Sequence, residues 1–256
     1  MSIPGTEIYR VRDEEGAVVV YDSTEIRILA FDSPVEQSCV AKSRPWRLQY
    51  AYTQTMMLGA LFTPQLKHAA VLGLGGGSQV RALRHGWPDL RITAVEKRAA
   101  VAQVAKDWFL LDDDPRLGIV IGDAGEWLHR PGASQDLLFA DLYDNIGMDA
   151  QQADMAFLTG CARRLGDGGV LVLNRWSANT DAARRHKAAI AEVFGDRVLM
   201  VSVQGGNNIT FAFQGPIPAL SRRAFMDAAQ TLGLRLDIPL QRHARRLWDE
   251  NTPILK

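Results

Sequence analysis

Three acidic positions and one glycine run are the residues of this chain best placed to do chemistry. Gly75-Gly76-Gly77 lies between an apolar run at 69–74 and a helical stretch at 78–85. A glycine turn between strand and helix lets a ligand reach the backbone where no Cβ intervenes. It also aims the free N–H groups of the helix start at that ligand. Gly75 and Gly77 hold the turn, and Glu96 stands 21 residues after Gly75, at the end of the next strand-like run. A carboxylate at that spacing can accept both hydroxyls of a ribose. The plainer alternative is a tight turn with a solvated strand-end charge, but the distal acid in register favours nucleoside binding. Asp123, in Ile121-Gly122-Asp123-Ala124, follows the third strand, where an adenine amino group lies in such folds. Asp141 ends the fourth strand, at the sheet edge where doubly wound folds bind ligands. A strand-end Asp is often only a loop cap. The second acid in Asp141-Leu142-Tyr143-Asp144 makes that explanation less complete.

The elements that must carry these residues follow from the apolar pattern. Short β-branched runs at 17–21, 25–31 and 35–38 alternate with turn residues, and helical spacing covers 48–62 up to Pro64. Strands are then expected at 69–74, 91–95, 117–121, 136–140 and 170–173. Helices are expected at 78–85, 99–110, 153–165 and 181–194. Alternation of this kind implies βαβ crossovers and a parallel sheet covered on both faces. The last two strands, 198–203 and 208–213, flank Gln204-Gly205-Gly206-Asn207 and read as an antiparallel edge hairpin. The predicted fold is therefore α/β: the class I S-adenosylmethionine-dependent transferase (Rossmann-like) layout, a mostly parallel seven-stranded sheet with an antiparallel edge strand. A small N-terminal β segment precedes it. Residues 1–65 form that segment with its helix, and residues 66–256 form the nucleoside-binding domain with terminal helices at 221–232 and 241–248.

Composition narrows the classes. Among 256 residues, 29 Lys and Arg balance 29 Asp and Glu, which argues against nucleic-acid and anionic-membrane partners. No run of about 18 apolar residues is present, so no membrane span is expected. The N-terminus has no apolar signal region, and the two cysteines, Cys39 and Cys161, have no metal-ligand spacing. A cytoplasmic protein without disulfides is expected. The five histidines also lack ligand spacing, so no metal is expected. Arg242, Arg245, Arg246 and His243 read as a basic helix face.

The chain resembles the polyamine aminopropyltransferase (spermidine synthase) family, and more closely its divergent members, from about residue 17 to 213. The resemblance rests on Val35-Glu36-Gln37-Ser38, Tyr50-Ala51-Tyr52, Gly75-Gly76-Gly77, Val95-Glu96, Asp114-Pro115-Arg116, Gly122-Asp123-Ala124, Asp141-x-x-Asp144 and Gly168-Gly169-Val170-Leu171. It implies a β segment over the catalytic mouth, and transfer of an aminopropyl group from decarboxylated S-adenosylmethionine to a small amine such as putrescine. By resemblance Asp141 is the base, Tyr52 assists at the gate, and Asp144 holds an amine. Gln37 and Glu96 hold the ribose, and Asp123 with Ala124 the adenine, beside the loop of Gly75, Gly77 and Ser78. A homodimer is implied in the same way. For Tyr52, a buried aromatic with a locally satisfied hydroxyl is the equal alternative.

Three departures from the family pattern bear on the substrates. The Asp-Gly after the glycine triplet is Ser78-Gln79 here. That Asp attracts the amine of the decarboxylated donor and repels a carboxylate, and serine does neither. The family's Tyr-x-Glu reads Tyr52-Thr53-Gln54, which makes Gln54 the substrate-facing position without its charge, and no tyrosine stands at 204–207. Two other readings therefore stay open: a methyltransferase using ordinary S-adenosylmethionine, and a nucleoside-binding relative without activity.

Overall fold

The computed structural model describes residues 3–33, 35–143, 149–176 and 180–255. Two sheets form. The first is an antiparallel meander of β1 (Thr6–Asp13), β2 (Gly16–Asp22), β3 (Ile26–Ala30) and β4 (Glu36–Ala41). β1 was not expected from the sequence. Its residues TEIYRVRD stay largely exposed, so no buried face stamps an alternating apolar pattern on it. β2, in contrast, begins with five buried residues in succession.

The helical stretch read at 48–62 divides into α1 (Ala51–Met56) and a 3-10 helix (Met57–Phe62). Met56, Met57, Leu58, Ala60 and Phe62 are buried in the core of the main sheet. The main sheet holds β5 (His68–Leu72), β6 (Arg91–Glu96), β7 (Leu117–Ile121), β8 (Gln135–Ala140), β9 (Leu165–Trp176), β10 (Val198–Ser202) and β11 (Asn207–Phe213). Their order is β7-β6-β5-β8-β9-β11-β10. Ladders from β7 to β9 are parallel, and β11 pairs antiparallel with both β9 and β10. The parallel sheet with an antiparallel edge is the layout the sequence implied.

Helices α2 (Ser78–Gly86), α3 (Ala99–Trp108), α4 (Ala124–His129), α5 (Met155–Arg164), α6 (Thr180–Phe194), α7 (Arg222–Leu236) and α8 (Leu240–Glu250) cover the sheet. Residues of α1, α2, α7 and α8 share one apolar cluster with one sheet face, and α4, α5 and α6 share another with the opposite face. Helix α4 escaped the sequence reading because six residues give too little length for a 3.6-residue period. Its start is fixed instead by Asp123, whose side chain accepts the Glu126 N–H. The N-terminal sheet packs Val18, Val20, Leu29 and Val40 against Val101, Val104 and Phe109 of the α3 segment. That contact hangs the small sheet over the ends of β5 and β6. β9 starts five residues earlier than expected, through Gly166, Gly168 and Gly169, where its ladder with β8 slips register.

Candidate active site

The chain leaves β5 toward β6 and β7 on one side, and β8 lies on the other. Between them is the topological switch point where open α/β sheets bind ligands. A cleft of about 490 Å³ opens there. Gly73, Gly75, Glu96, Asp123, Asp141 and Asn174 form its floor from five consecutive sheet positions, and β4 and the α1 segment form its roof.

On the nucleoside side, Glu96 is buried and its carboxylate organises the loop. One oxygen accepts the Leu74 N–H at 3.0 Å and the Gly75 N–H at 3.4 Å, and the other accepts the Arg98 N–H at 3.0 Å. Burial pushes its pKa up, opposed by these hydrogen bonds. Asp123 accepts from Gln151 Nε2 at 3.2 Å, and Gln151 Nε2 also donates to Asp149 at 2.9 Å. The Gln151 carbonyl oxygen accepts the Gly125 N–H at 3.2 Å, so this amide ties α4 to the segment ahead of α5. Gln37, Gly75, Ser78, Glu96, Asp123 and Ala124 all line the cleft.

Gly77 does not line it. It turns the chain into α2 at φ +74°, with the side chains of Arg81 and Leu111 against its Cα. Gly73, which the sequence reading passed over, is the glycine the cleft needs. At φ +89°, a Cβ there would clash with the Asp141 carbonyl oxygen, so only glycine lets the ends of β5 and β8 close together at the cleft floor. Ser78 places its hydroxyl 3.2 Å from the Ser38 hydroxyl and 3.4 Å from the Cys39 carbonyl. Behind it Arg81 is buried, donating to the Gly76, Phe109 and Pro45 carbonyls, and desolvation lowers its pKa to about 9. Arg81 thereby ties the glycine loop to the α3 end and to the linker after β4.

On the other side, Asp141 is enclosed by neutral donors. Asn174 Nδ2 donates to Oδ1 at 2.8 Å, and Gln79 Nε2 approaches Oδ2 at 3.4 Å. The Tyr52 hydroxyl also hydrogen-bonds the carboxylate. Asn174 is fully buried and accepts in turn from Asn207 Nδ2 at 3.0 Å. Desolvation raises the Asp141 pKa to about 6, with the Asn174 and Tyr52 hydrogen bonds opposing it. The Tyr52 hydroxyl is pushed well above its usual value by burial and by the Asp141 charge. Tyr52 is therefore a neutral donor beside Asp141, and its hydroxyl serves the cleft. Gln79 Nε2 also donates to Met56 Sδ at 3.1 Å, while its Oε1 is buried without a hydrogen-bond partner.

Gln54 is not brought to this cleft. Its amide donates to the Leu48 carbonyl at 2.8 Å and its oxygen lies 3.1 Å from His243 Nε2 of α8. Tyr52 and Gln54 are two residues apart on a helix, about 200° around its axis, and so cannot face the same way. His243 correspondingly leaves the basic face read for α8. It lies between Gln54 and Thr55, and burial lowers its pKa to about 4. Asp144 lies outside the described residues. Asn174 and Gln151 are cleft residues that no motif singled out, while Glu36 and Asn207 stood in quoted stretches without being assigned a role. Only a polar residue at a strand end, as at Asn174, was a signal for any of them. Among the described residues no three His, Cys, Asp or Glu side chains gather as a metal site. Cys39 and Cys161 are free and buried.

Fold and cleft together define an S-adenosylmethionine-type transferase architecture with an enclosed acid on the cleft floor. Residues 49–202 match the model of the spermine/spermidine synthase domain. A polyamine aminopropyltransferase of Neisseria meningitidis is 30% identical over 200 residues, covering 77% of this chain and 76% of the relative. The structure of a probable spermidine synthase from Corynebacterium glutamicum superposes with a TM-score of 0.74 at 20% identity, covering 94% of this chain and 90% of that one. A spermidine synthase solved with the transition-state analogue AdoDATO gives 0.71 at 17% identity, covering 94% and 83%. The chain belongs to the spermine/spermidine synthase family.

Proposed function

We propose that the protein transfers an aminopropyl group from decarboxylated S-adenosylmethionine to a small amine. The observation that carries this reading is Asp141, a carboxylate enclosed by neutral donors on the cleft floor with a pKa raised to about 6. A protonated amine has no lone pair, so its proton must leave before or as the nitrogen attacks. A base with a pKa near working pH accepts that proton without being permanently protonated itself. The nitrogen lone pair forms a C–N bond to the carbon beside the sulfonium. The C–S bond breaks with its electron pair going to sulfur, and neutral methylthioadenosine leaves. Asp141 takes the nitrogen's proton and returns it to water.

In this reading Glu96 and Gln37 hold the ribose, Asp123 and the Ala124 backbone hold the adenine, and Tyr52 orients Asp141. Asp144 holds an amine. The Neisseria relative, a polyamine aminopropyltransferase, and the analogue bound by the solved synthase support the donor class. The reading includes a homodimer in the cytoplasm, acting on a small molecule with no nucleic-acid or membrane partner. No described helix is long and apolar enough to cross a membrane.

Incubation with decarboxylated S-adenosylmethionine and a panel of amines is expected to release methylthioadenosine, and Asp141→Asn to abolish the release. No release with any amine overturns the reading. A second reading, methyl transfer from ordinary S-adenosylmethionine, is favoured by one observation. Ser78 lines the cleft with a hydroxyl turned to Ser38 and Cys39, and so offers no charge against a donor carboxylate. Release of S-adenosylhomocysteine when the same amines are incubated with ordinary S-adenosylmethionine would select it.

A further inference from the structure

The basic face of α8 takes no part in the cleft. Of its three arginines, Arg246 pairs with Glu250 at 2.8 Å, while Arg242 and Arg245 have no ion-pair partner among the described residues. Those two are exposed and three residues apart, so they share one side of the helix. Both line a groove of about 640 Å³ between the end of α7 and the start of α8, and Arg246 does not. Arg47, from the segment after β4, lines the same groove. The groove's acid, Asp237, is already engaged: Arg44 bonds it and Arg47 approaches it at 3.6 Å. Helix α8 also starts without a side-chain cap, so its first-turn N–H groups add positive potential there. Between the charges the lining is apolar. Ile238 and Leu240 are buried, and Leu234 is 78% exposed, more than any other large apolar side chain described. No aromatic ring stands among the described lining residues to stack on a base, so the groove does not suit a nucleotide. An extended peptide does fit. Its alternate side chains point the same way about 7 Å apart, and helical neighbours three apart hold their Cβ atoms at about 5–6 Å.

We infer that this groove docks an extended acidic segment of a partner protein. Carboxylates on alternate residues of the segment meet Arg242 and Arg245, and an apolar side chain packs on Leu234. The charge complementarity names the occupant: two cations without acids call for two acids without cations. The inference stands apart from the transfer reading, because none of these residues lines the catalytic cleft.

The test is fluorescence anisotropy of the whole protein with a short labelled peptide, glutamate alternating with alanine around one central leucine. A twin peptide carries glutamine in place of each glutamate. The parent protein is expected to bind the acidic peptide about tenfold or more tightly than the twin, with the ratio falling as salt rises. Arg242→Gln combined with Arg245→Gln is expected to erase the ratio at an unchanged melting temperature. Arg246→Gln is expected to keep it, because that side chain is paired and lies outside the groove. Leu234→Ala is expected to weaken both peptides about threefold or more. Equal binding of both peptides by the parent overturns the inference, as does an unchanged ratio in the double variant. An equal loss in Arg246→Gln also overturns it, because diffuse charge would then be responsible. Displacement by inorganic phosphate at the concentration of competing unlabelled peptide overturns the occupant and leaves a small-anion site. A parent dimer that the double variant dissolves in sedimentation overturns it as well, since a second copy would then cover the groove.

Discussion

Asn174 Nδ2 donates to Asp141 Oδ1 at 2.8 Å, and Asn174 is itself held by Asn207 at 3.0 Å. The two asparagines come from β9 and β11, neighbours that run antiparallel. A neutral donor fixes the carboxylate's direction without cancelling its charge, as an arginine would. Asp141 therefore remains a carboxylate with a raised pKa and a set orientation.

Removing that donor shifts the base. Asn174→Leu takes away a hydrogen bond that lowers the Asp141 pKa, so the acidic limb of kcat/KM against pH moves above about 6. On the transfer reading, activity of the parent is expected to fall as pH drops through about 6, because a protonated Asp141 cannot accept the amine proton. The variant is expected to lose about tenfold in kcat/KM at pH 7 and to recover part of it at pH 8.5. A pH profile that matches the parent's refutes the positioning role.

The base also destabilises the fold. The Asp141 pKa rises from 3.8 to about 6 on folding, so the folded state binds the proton more tightly than the unfolded chain. Stability from this group is fully present below pH 3.8 and is lost as pH rises through about 6. The shift corresponds to about 3 kcal/mol at most, and to less where cleft water screens the carboxylate. Asp141→Asn is therefore expected to melt above the parent at pH 8, by no more than this, with the difference shrinking toward pH 4. The unpaired Gln79 Oε1 helps, since a turned amide can accept the new Asn N–H. Thermal denaturation at the two pH values checks this, and a variant that melts lower at pH 8 contradicts it.

The two positions lacking the family's acids are expected to respond differently. Ser78 lines the cleft, so Ser78→Asp should favour decarboxylated S-adenosylmethionine over the carboxylated form by about tenfold or more in Kd. Gln54 faces α8, so Gln54→Glu should leave amine affinity within about twofold. It should instead raise the His243 pKa from about 4, because a carboxylate would replace an amide beside that ring. Calorimetry for the ligands and NMR titration of the imidazole separate the two outcomes.

Glu96 is expected to combine structural and binding roles. Its carboxylate accepts three backbone N–H groups, and an amide in its place presents a donor to at least one of them. Glu96→Gln should cost about 1–3 kcal/mol of stability and weaken methylthioadenosine binding together. Denaturant unfolding with calorimetry tests the coupling. Lost binding at full stability would reduce Glu96 to a ligand contact alone.

The sequence alone was enough to determine the alternation of apolar strands with helices, the edge hairpin, and the strand-end registers of Glu96, Asp123 and Asp141. Each is local: an apolar period, a glycine turn, or a spacing from one strand end to the next. Helix α4 and strand β1 were not legible, because one is too short and the other too exposed to show a period. The tertiary structure decided which side chains share the cleft. It turned Gln54 to His243 and made Gly73 rather than Gly77 the close approach. It also brought Glu36, Tyr50 and Asn207 to a site built around β5 and β8. A side chain's direction depends on which face its element buries. For α1 and β4 that face was set by packing against α8 and α3, far away in the chain.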